Sequence, residues 1–278
     1  MASTAIRPLD VRQLDHAGVI CCYLVGDVLI DCGPAVRVPT LLEALGGERP
    51  RVLALTHIHL DHAGAAGTLA ALWPDLEVWV HERGAPHMID PSRLLASATR
   101  LYGDDMERLW GEVRAVPQAN VRALSGGESL GGLEIAYTPG HASHHVSYWH
   151  PESDTAFVGD VAGVRAPGSE YVLAPTPPPD IDLEAWSASI ARLREWRPRE
   201  VAITHFGRFE ASGQLDAIER ELEVAARRSR ERRGDVFEGV VVVIADDHVP
   251  AAAKPVAGTC EARALDGLRH GPFPRLDQ

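Results

Sequence analysis

Short apolar runs alternate along this chain with longer segments whose apolar residues recur at helical spacing. The runs predict strands, because apolar residues bounded by turn residues are typical of a buried sheet. These predicted strands are 10–15, 20–25, 28–30, 51–55, 77–80, 121–124, 133–137, 146–149, 156–158, 201–204 and 240–244. The helical spacing predicts helices over 40–45, 63–73, 183–196 and 213–233, with two more inside 82–120.

Strands and helices alternate in two stretches, each of which contains hairpins. This order predicts an α/β protein in which two sheets are covered by helices on the outside. No linker rich in Gly or Ser divides the chain. We therefore expect a single domain over residues 1–278, with a helical insertion at about 82–120 and a C-terminal extension at about 235–278. The proline-rich stretch 175–179 is expected to be a stiff surface loop.

Composition excludes several classes of protein. Hydrophobic residues make up 45% and charged residues 24%, which is ordinary for a globular protein. Against 39 Asp and Glu there are 27 Lys and Arg, a net charge of −12, which disfavours nucleic acid as a partner. No apolar run approaches the roughly 18 residues of a membrane span. The first residues carry no secretory signal pattern, so we expect a cytoplasmic protein with reduced cysteines.

The strongest chemical signal directly follows the predicted strand 51–55. Four side chains that can bind a metal stand within six residues there: His57, His59, Asp61 and His62. Imidazole and carboxylate groups suit zinc, iron or manganese. Because a loop between a strand and a helix can turn successive side chains in different directions, this one segment can supply ligands to two metals.

Three further candidate ligands, His141, Asp160 and His205, each follow a predicted strand. Functional side chains collect at strand ends that open into loops. Taken singly, each of the three is weak evidence, because Asp after Gly is common in turns and a lone His is common in cores. Taken together with the first four, they complete two coordination shells.

The order and gaps of these seven residues resemble the metallo-β-lactamase superfamily over about residues 10–210. The resemblance implies a four-layer αββα sandwich with metal ions at one edge. It assigns His57, His59 and His141 to the first metal, Asp61, His62 and His205 to the second, and Asp160 to both. We therefore expect two divalent metal ions per chain, Zn²⁺ in the first place, with Fe or Mn as the alternatives.

Within that superfamily, the chain is similar to the glyoxalase II-like and lactonase-like branches. Residues 139–141, Pro-Gly-His, resemble a turn of the glyoxalase II-like hydrolases, and His145 matches the second His of that turn. The resemblance implies that His145 supports a metal ligand. Lactonases usually carry a Tyr shortly after the bridging Asp, where this chain has Val-Ala-Gly at 161–163. Glyoxalase II itself uses a basic C-terminal region, whereas this chain has the single lysine Lys254.

The predicted reaction follows from what paired metal ions do to water. Two divalent ions about 3.5–4 Å apart lower the pKa of a shared water and clamp the attacking and leaving oxygens. We predict a hydrolase in which a metal-bridging hydroxide, oriented by Asp61, attacks an ester, thioester or lactone bond of a small-molecule substrate. The alternatives are a phosphodiesterase or phosphotriesterase, an iron-dependent redox enzyme, and a metal-binding protein without activity. The oligomeric state stays open, a homo-oligomer included.

The insertion at about 82–120 is predicted to set substrate specificity. Its candidate substrate-binding residues are Tyr102, Trp110 and Arg83, which could line a lid above the metals. The alternative is that the apolar side chains of the insertion only pack it onto the body of the protein. The hypothesis that Tyr102 or Trp110 contacts substrate is wrong if Tyr102→Phe and Trp110→Ala leave substrate preference unchanged.

Overall fold

Two six-stranded sheets lie at the centre of the part of the chain that the computed structural model describes, residues 5–165, 169–177 and 180–231. The strands of the first sheet are β1 (Ile6–Asp10), β2 (Cys21–Val25), β3 (Val28–Ile30), β4 (Val52–Ala54), β5 (Glu77–His81) and β6 (Val121–Leu124). They lie side by side in chain order. The first three pair antiparallel, and β3 to β6 pair parallel.

The second sheet is built from the following part of the chain. The strands there are β7 (Ser129–Leu130), β8 (Leu133–Tyr137), β9 (Val146–His150), β10 (Thr155–Phe157), β11 (Val164–Arg165), β12 (Val172–Leu173), β13 (Glu200–Ile203) and β14 (Gly207–Glu210). The order in the sheet is β14-β13-β10-β9-β8-β7, and β11 pairs with β12 in a separate hairpin. β10 and β13 run parallel, whereas the other neighbours are antiparallel.

The helices connect the strands and cover the sheets. They are α1 (Val38–Leu45), α2 (Leu60–Ala63), α3 (Ala66–Leu72), α4 (Ala85–Ile89), α5 (Ser92–Tyr102), α6 (Met106–Trp110), α7 (Leu183–Glu195) and α8 (Ala211–Glu231). Asp182 caps α7, because its carboxylate accepts hydrogen bonds from two backbone N–H groups of the first turn. Of the helices in the described residues, none is both long and apolar enough to cross a membrane.

The apolar faces of the two sheets pack against each other. This inner core takes Tyr23, Ile30 and Trp79 from the first sheet, and Tyr148 and Phe157 from the second. A further core joins the outer face of the second sheet to α7 and α8. On the first sheet, α1 packs beside β1 and α3 beside β5. The predicted αββα layering is confirmed.

Several local predictions were wrong. The predicted strand 10–15 ends at Asp10, because Arg12, Leu14 and Asp15 adopt left-handed backbone conformations that a strand does not allow. The predicted helix 63–73 is divided between α2 and α3. Pro175 is buried and not on the surface.

The helical segment α4–α6 lies between β5 and β6, in the predicted insertion. Three of the cysteines, Cys21, Cys22 and Cys32, are buried free thiols. The predicted strand 240–244, the predicted C-terminal extension and Cys260 lie outside the described residues.

Candidate metal centre

The seven predicted ligand residues meet where strands of the two sheets end. His57 and His59 follow β4, and the short helix α2 then presents Asp61 and His62. The other three candidates, which are His141, Asp160 and His205, follow β8, β10 and β13 of the second sheet. The seven side chains form overlapping groups whose ligand atoms lie within 4.8 Å of one another, and each group could hold a metal ion.

Three imidazoles form the first side of this candidate metal centre. Nδ1 of His59 lies 2.9 Å from Nε2 of His57 and 3.1 Å from Nε2 of His141. Oδ2 of Asp160 lies 3.5 Å from the same nitrogen of His141. Three ring nitrogens and one carboxylate oxygen therefore converge, which is a donor set that zinc, iron and manganese accept.

The second side combines two imidazoles with two carboxylates. Nε2 of His205 lies 3.2 Å from Oδ2 of Asp61, and Nε2 of His62 lies 3.3 Å from Oδ1 of Asp160. Asp160 thus turns one carboxylate oxygen to each side. In the described residues, His62 Nε2 and Asp160 Oδ1 are buried and have no hydrogen-bond partner. Because an unpaired buried polar atom is costly, these two atoms fit ligation of a cation.

In four of the five candidate ligand rings, the nitrogen that faces away from the centre is held in place. The atom pairs are His57 Nδ1 with Thr56 Oγ1 at 3.1 Å, His62 Nδ1 with Asp31 Oδ2 at 2.8 Å, His141 Nδ1 with the Pro175 carbonyl at 2.9 Å, and His205 Nδ1 with the Val19 carbonyl at 2.9 Å. Since a carbonyl oxygen can only accept, Nδ1 of His141 and of His205 donates. Each Nε2 is then left with the lone pair that a metal requires.

Asp31 is a residue of the centre that the sequence analysis missed. It is buried directly after β3, and its carboxylate accepts hydrogen bonds from the Thr56 backbone N–H at 2.8 Å and the Thr204 hydroxyl at 3.0 Å. Its other contact, with His62, orients a candidate ligand. The available signal was an acid placed immediately after an apolar strand, which resembled an ordinary turn residue.

Charge divides the centre into two halves. Burial lowers the pKa of His57 and of His59 well below the ordinary value, so these rings are neutral. Burial also acts on His62, but the neighbouring carboxylates, Asp160 foremost, outweigh it and raise the pKa of His62. In turn, burial would raise the pKa of Asp61 and of Asp160, but the charge on His62 outweighs it and lowers both. The carboxylates are therefore ionised.

Two further histidines flank the neutral half. The ring of His145 stacks on His57 with centroids 5.1 Å apart, and its Nδ1 lies 2.9 Å from Thr138 Oγ1. Within the described chain, no hydrogen bond joins His145 to a candidate ligand, so support of a ligand by His145 would act through ring packing. His144 packs edge-on to His59 at 5.7 Å, and burial lowers the pKa of His144 to about 3.

The three candidate substrate-binding residues occupy different surroundings. Tyr102 is half-buried, its ring packs edge-to-face on Trp110 at 5.0 Å, and burial together with the charge on Asp61 raises its pKa well above its usual value. Trp110 is buried beneath it. Arg83 is exposed and lies over the ring of Tyr137 at 5.7 Å. Among the described residues, no hydrogen bond or ion pair joins Arg83 to the candidate ligands.

Comparison with known proteins identifies relatives with the same fold. The family model described as Metallo-beta-lactamase superfamily matches residues 17–207. The metallo-beta-lactamase fold-containing protein ST1585 of Sulfurisphaera tokodaii is 33% identical over 209 residues, which are 72% of this chain and 76% of that protein. The crystal structure of ST1585 from Sulfolobus tokodaii matches with a TM-score of 0.66 and 25% identity, covering 86% of this chain and 90% of the other.

Two less similar proteins have names that mention a bound metal or an activity. The crystal structure of TTHA1623 in a di-iron-bound form matches with a TM-score of 0.51 and 26% identity, over 78% of this chain and 96% of the other. The atrochrysone carboxyl ACP thioesterase of Aspergillus fumigatus is 27% identical over 221 residues, 75% of this chain but 57% of that enzyme. Since the family model covers well over half of the sequence and the layers agree, this chain belongs to the metallo-beta-lactamase superfamily.

Proposed function

We propose that this protein is a hydrolase that holds two divalent metal ions and cleaves an ester, thioester or lactone bond. The observation that carries the proposal is the convergence of seven ligand-type side chains in overlapping groups, with one carboxylate oxygen of Asp160 facing His62 and the other facing His141. The unpaired buried atoms His62 Nε2 and Asp160 Oδ1 support it, because cations would satisfy both.

Each half of the centre has a complete set of donors for one ion. His57, His59, His141 and Oδ2 of Asp160 would hold the first ion, and Asp61, His62, His205 and Oδ1 of Asp160 would hold the second. Imidazole and carboxylate donors accept zinc, iron and manganese alike. We propose Zn²⁺, and the di-iron form of TTHA1623 makes iron the alternative to test.

When bound, such ions polarise a carbonyl group and lower the pKa of a water molecule. Asp61 is the more open of the two central carboxylates, with 24% of its side chain exposed against 5% for Asp160. We assign Asp61 the role of accepting a hydrogen bond from the attacking water and fixing its direction. Because a carboxylate beside divalent ions would stay ionised, Asp61 is a weak base and orients the nucleophile without retaining a proton.

The remaining residues of the centre keep the donor atoms in place. The carbonyls of Pro175 and Val19 and the carboxylate of Asp31 fix the ring orientations before substrate arrives. Such preorganisation removes the need to reorganise dipoles during the reaction. The thioesterase name of the Aspergillus fumigatus relative supports acyl transfer to water as the reaction class.

The test combines metal analysis and a hydrolysis screen on one sample purified without chelator. The expected result is about two metal ions per chain and cleavage of carboxylic esters, thioesters or lactones, lost on chelation and restored by adding metal. Faster cleavage of phosphoesters would replace the proposed bond class by the phosphodiesterase alternative. One iron per chain with oxygen uptake, or full metal loading without turnover on any substrate, would reject the hydrolase.

A further inference from the structure

Helix α5 carries an apolar face that the rest of the described chain covers incompletely. Leu94, Ala98 and Tyr102 recur at four-residue spacing and therefore lie along one side of the helix. All three belong to an apolar cluster, yet no residue between Ser92 and Tyr102 is buried. Arg93 and Arg100 lie on the opposite side and are exposed. The half-covered apolar surface is therefore confined to one face of α5.

The apolar surface continues to the candidate metal centre. The buried side chains beneath it are Leu60, Leu109 and Trp110. Leu60 is the first residue of α2 and directly precedes Asp61. The same cluster therefore contacts the helix that presents two candidate ligands. We call the surface formed by Leu94, Ala98, Tyr102 and Met106 over these three residues the α5 surface.

Tyr102 is the last residue of α5 and belongs to the apolar cluster that contains Leu60, the residue before Asp61. Its phenol hydroxyl is protonated at neutral pH and can donate a hydrogen bond. In the part of the chain that is described, this hydroxyl has no hydrogen-bond partner. The α5 surface therefore carries one polar group that is free to donate a hydrogen bond, as a binding site for an apolar molecule with one polar end requires.

The charges around this end of the surface are negative. Asp104 and Asp105 follow Tyr102 after Gly103. Arg108, the nearest cation on α6, forms an ion pair with Asp105 at 3.0 Å. An ionised group on the substrate would lose its hydration against the apolar α5 surface without gaining a partner, whereas an uncharged apolar group would not.

We propose that the α5 surface binds the uncharged, apolar acyl portion of the substrate, with the scissile carbonyl directed to the candidate metal centre. This inference rests on the proposed hydrolase function, since it names the substrate class of that site. It assigns the contact to Leu94, Ala98 and Tyr102, and makes Trp110 a support beneath the Tyr102 ring.

The first experiment measures kcat/KM for p-nitrophenyl esters from acetate to octanoate. Complete burial of one methylene group is worth up to about fourfold, so we expect kcat/KM to rise with chain length by about twofold to fourfold per methylene. Leu94→Gln and Tyr102→Ala should lower the octanoate-to-acetate ratio about tenfold or more. Leu72→Gln is the matched control, because Leu72 is exposed on α3 outside the α5 surface, and the ratio should stay unchanged.

The second experiment measures binding without turnover, by calorimetric titration of the metal-loaded protein with N-butyl amides of the same acyl chains. The dissociation constant should fall with chain length, and a chain that ends in a carboxylate should bind more weakly than an uncharged chain of equal length. Ester cleavage without chain-length dependence, with flat amide binding, would overturn the α5 surface and leave the hydrolase intact. Chain-length-dependent amide binding without any ester, thioester or lactone cleavage would overturn the hydrolase and leave the α5 surface as a binding site.

Discussion

The candidate metal centre and the α5 surface are neighbours, but different interactions build them. In the centre, directional hydrogen bonds hold the rings, as between His62 and Asp31 or between His141 and the Pro175 carbonyl. Along α5, contacts are apolar, non-directional and only half-buried. Directional networks fix atoms to a fraction of an ångström, whereas apolar contact tolerates changes of shape. We therefore expect substitutions in the centre to abolish hydrolysis, and substitutions on the α5 surface to reduce it only in part.

The sharpest test of this contrast is Asp160→Asn. An amide keeps the shape but replaces one of the two oxygens that face the two groups. We expect the metal content to fall and hydrolysis to drop about a thousandfold or more. Elemental analysis and initial rates measure both effects, with circular dichroism to verify folding. Asp75→Asn, the same change at an exposed position, should leave both values unchanged, and full activity of Asp160→Asn would reject the proposed centre.

Gly140→Ala tests how rigidly the loop before His141 is packed. Gly140 has a φ of 131°, and a Cβ there would lie 2.3 Å from the Trp186 Cα. Because backbone atoms cannot give way, we expect the free energy of unfolding to fall by about 3 kcal/mol or more in urea denaturation. Gly46→Ala is the matched control, since its φ is 64° and no atom lies within 4 Å of the added Cβ.

Strain alone should cost the Gly46→Ala variant about 1 kcal/mol. The difference between the two variants then combines the packing around the loop with the greater backbone strain at a φ of 131° than at 64°. Equal destabilisation would mean that the loop shifts freely, and the contrast between a rigid centre and a tolerant surface would fail.

Asp31→Asn tests whether the Asp31 carboxylate orients the candidate ligand His62 through its outer nitrogen, Nδ1. The amide no longer carries the charge that holds the Nδ1 proton of His62, so we expect metal affinity to fall by about 10-fold to 100-fold. Competition with a chromophoric chelator measures this, and the remaining metal-loaded protein should keep its fold. Asp27→Asn, in the exposed turn between β2 and β3, is the control. An unchanged affinity would show that Thr56 and the backbone suffice to place the ring.

The pH dependence of the unfolding free energy of the metal-free protein tests His144, which flanks the candidate metal centre. His144 packs beside His59 and below the start of α4. Burial lowers its pKa from 6.5 to about 3, so the folded state holds it neutral. As the pH falls below 6.5, His144 takes up a proton in the unfolded chain but not in the folded state. The free energy of unfolding, which is at its full value above pH 6.5, therefore decreases. By pH 5 this one group should cost about 2 kcal/mol.

Urea denaturation at pH 7.5 and at pH 5 measures that loss, and His144→Gln should reduce it by about 2 kcal/mol. Metal-free protein is used because metal release would add its own pH dependence. Identical losses for the wild type and the variant would show that His144 is protonated in the folded state.

Much of the centre could be predicted because its side chains stand next to strands in the sequence. His57 to His62 form a single dense motif, and α7 begins behind a capping Asp182. Asp31 could not be predicted, because its partners Thr56 and Thr204 come from distant parts of the chain. The predicted strand 10–15 failed because alternating apolar residues carry no sign of the left-handed conformations that end it.

The role of Pro175 was invisible for another reason. Every residue has the same backbone carbonyl, so the residue type does not indicate which carbonyl accepts a hydrogen bond from a histidine ring. The half-exposed state of α5 was equally hidden, since an amphipathic pattern predicts a face but not how much of it the fold covers.

The carbonyl contacts have a consequence for mutational scanning and for sequence drift. Of the five candidate ligand rings, two are oriented by main-chain oxygens, at Pro175 and Val19, and two by side chains, at Thr56 and Asp31. Any amino acid at 175 or 19 offers the same oxygen, provided that the backbone keeps its path. A residue-by-residue scan would therefore score these two positions as tolerant while half of the ring supports depend on them, and only a deletion, an insertion or an ester-for-amide replacement nearby would expose them.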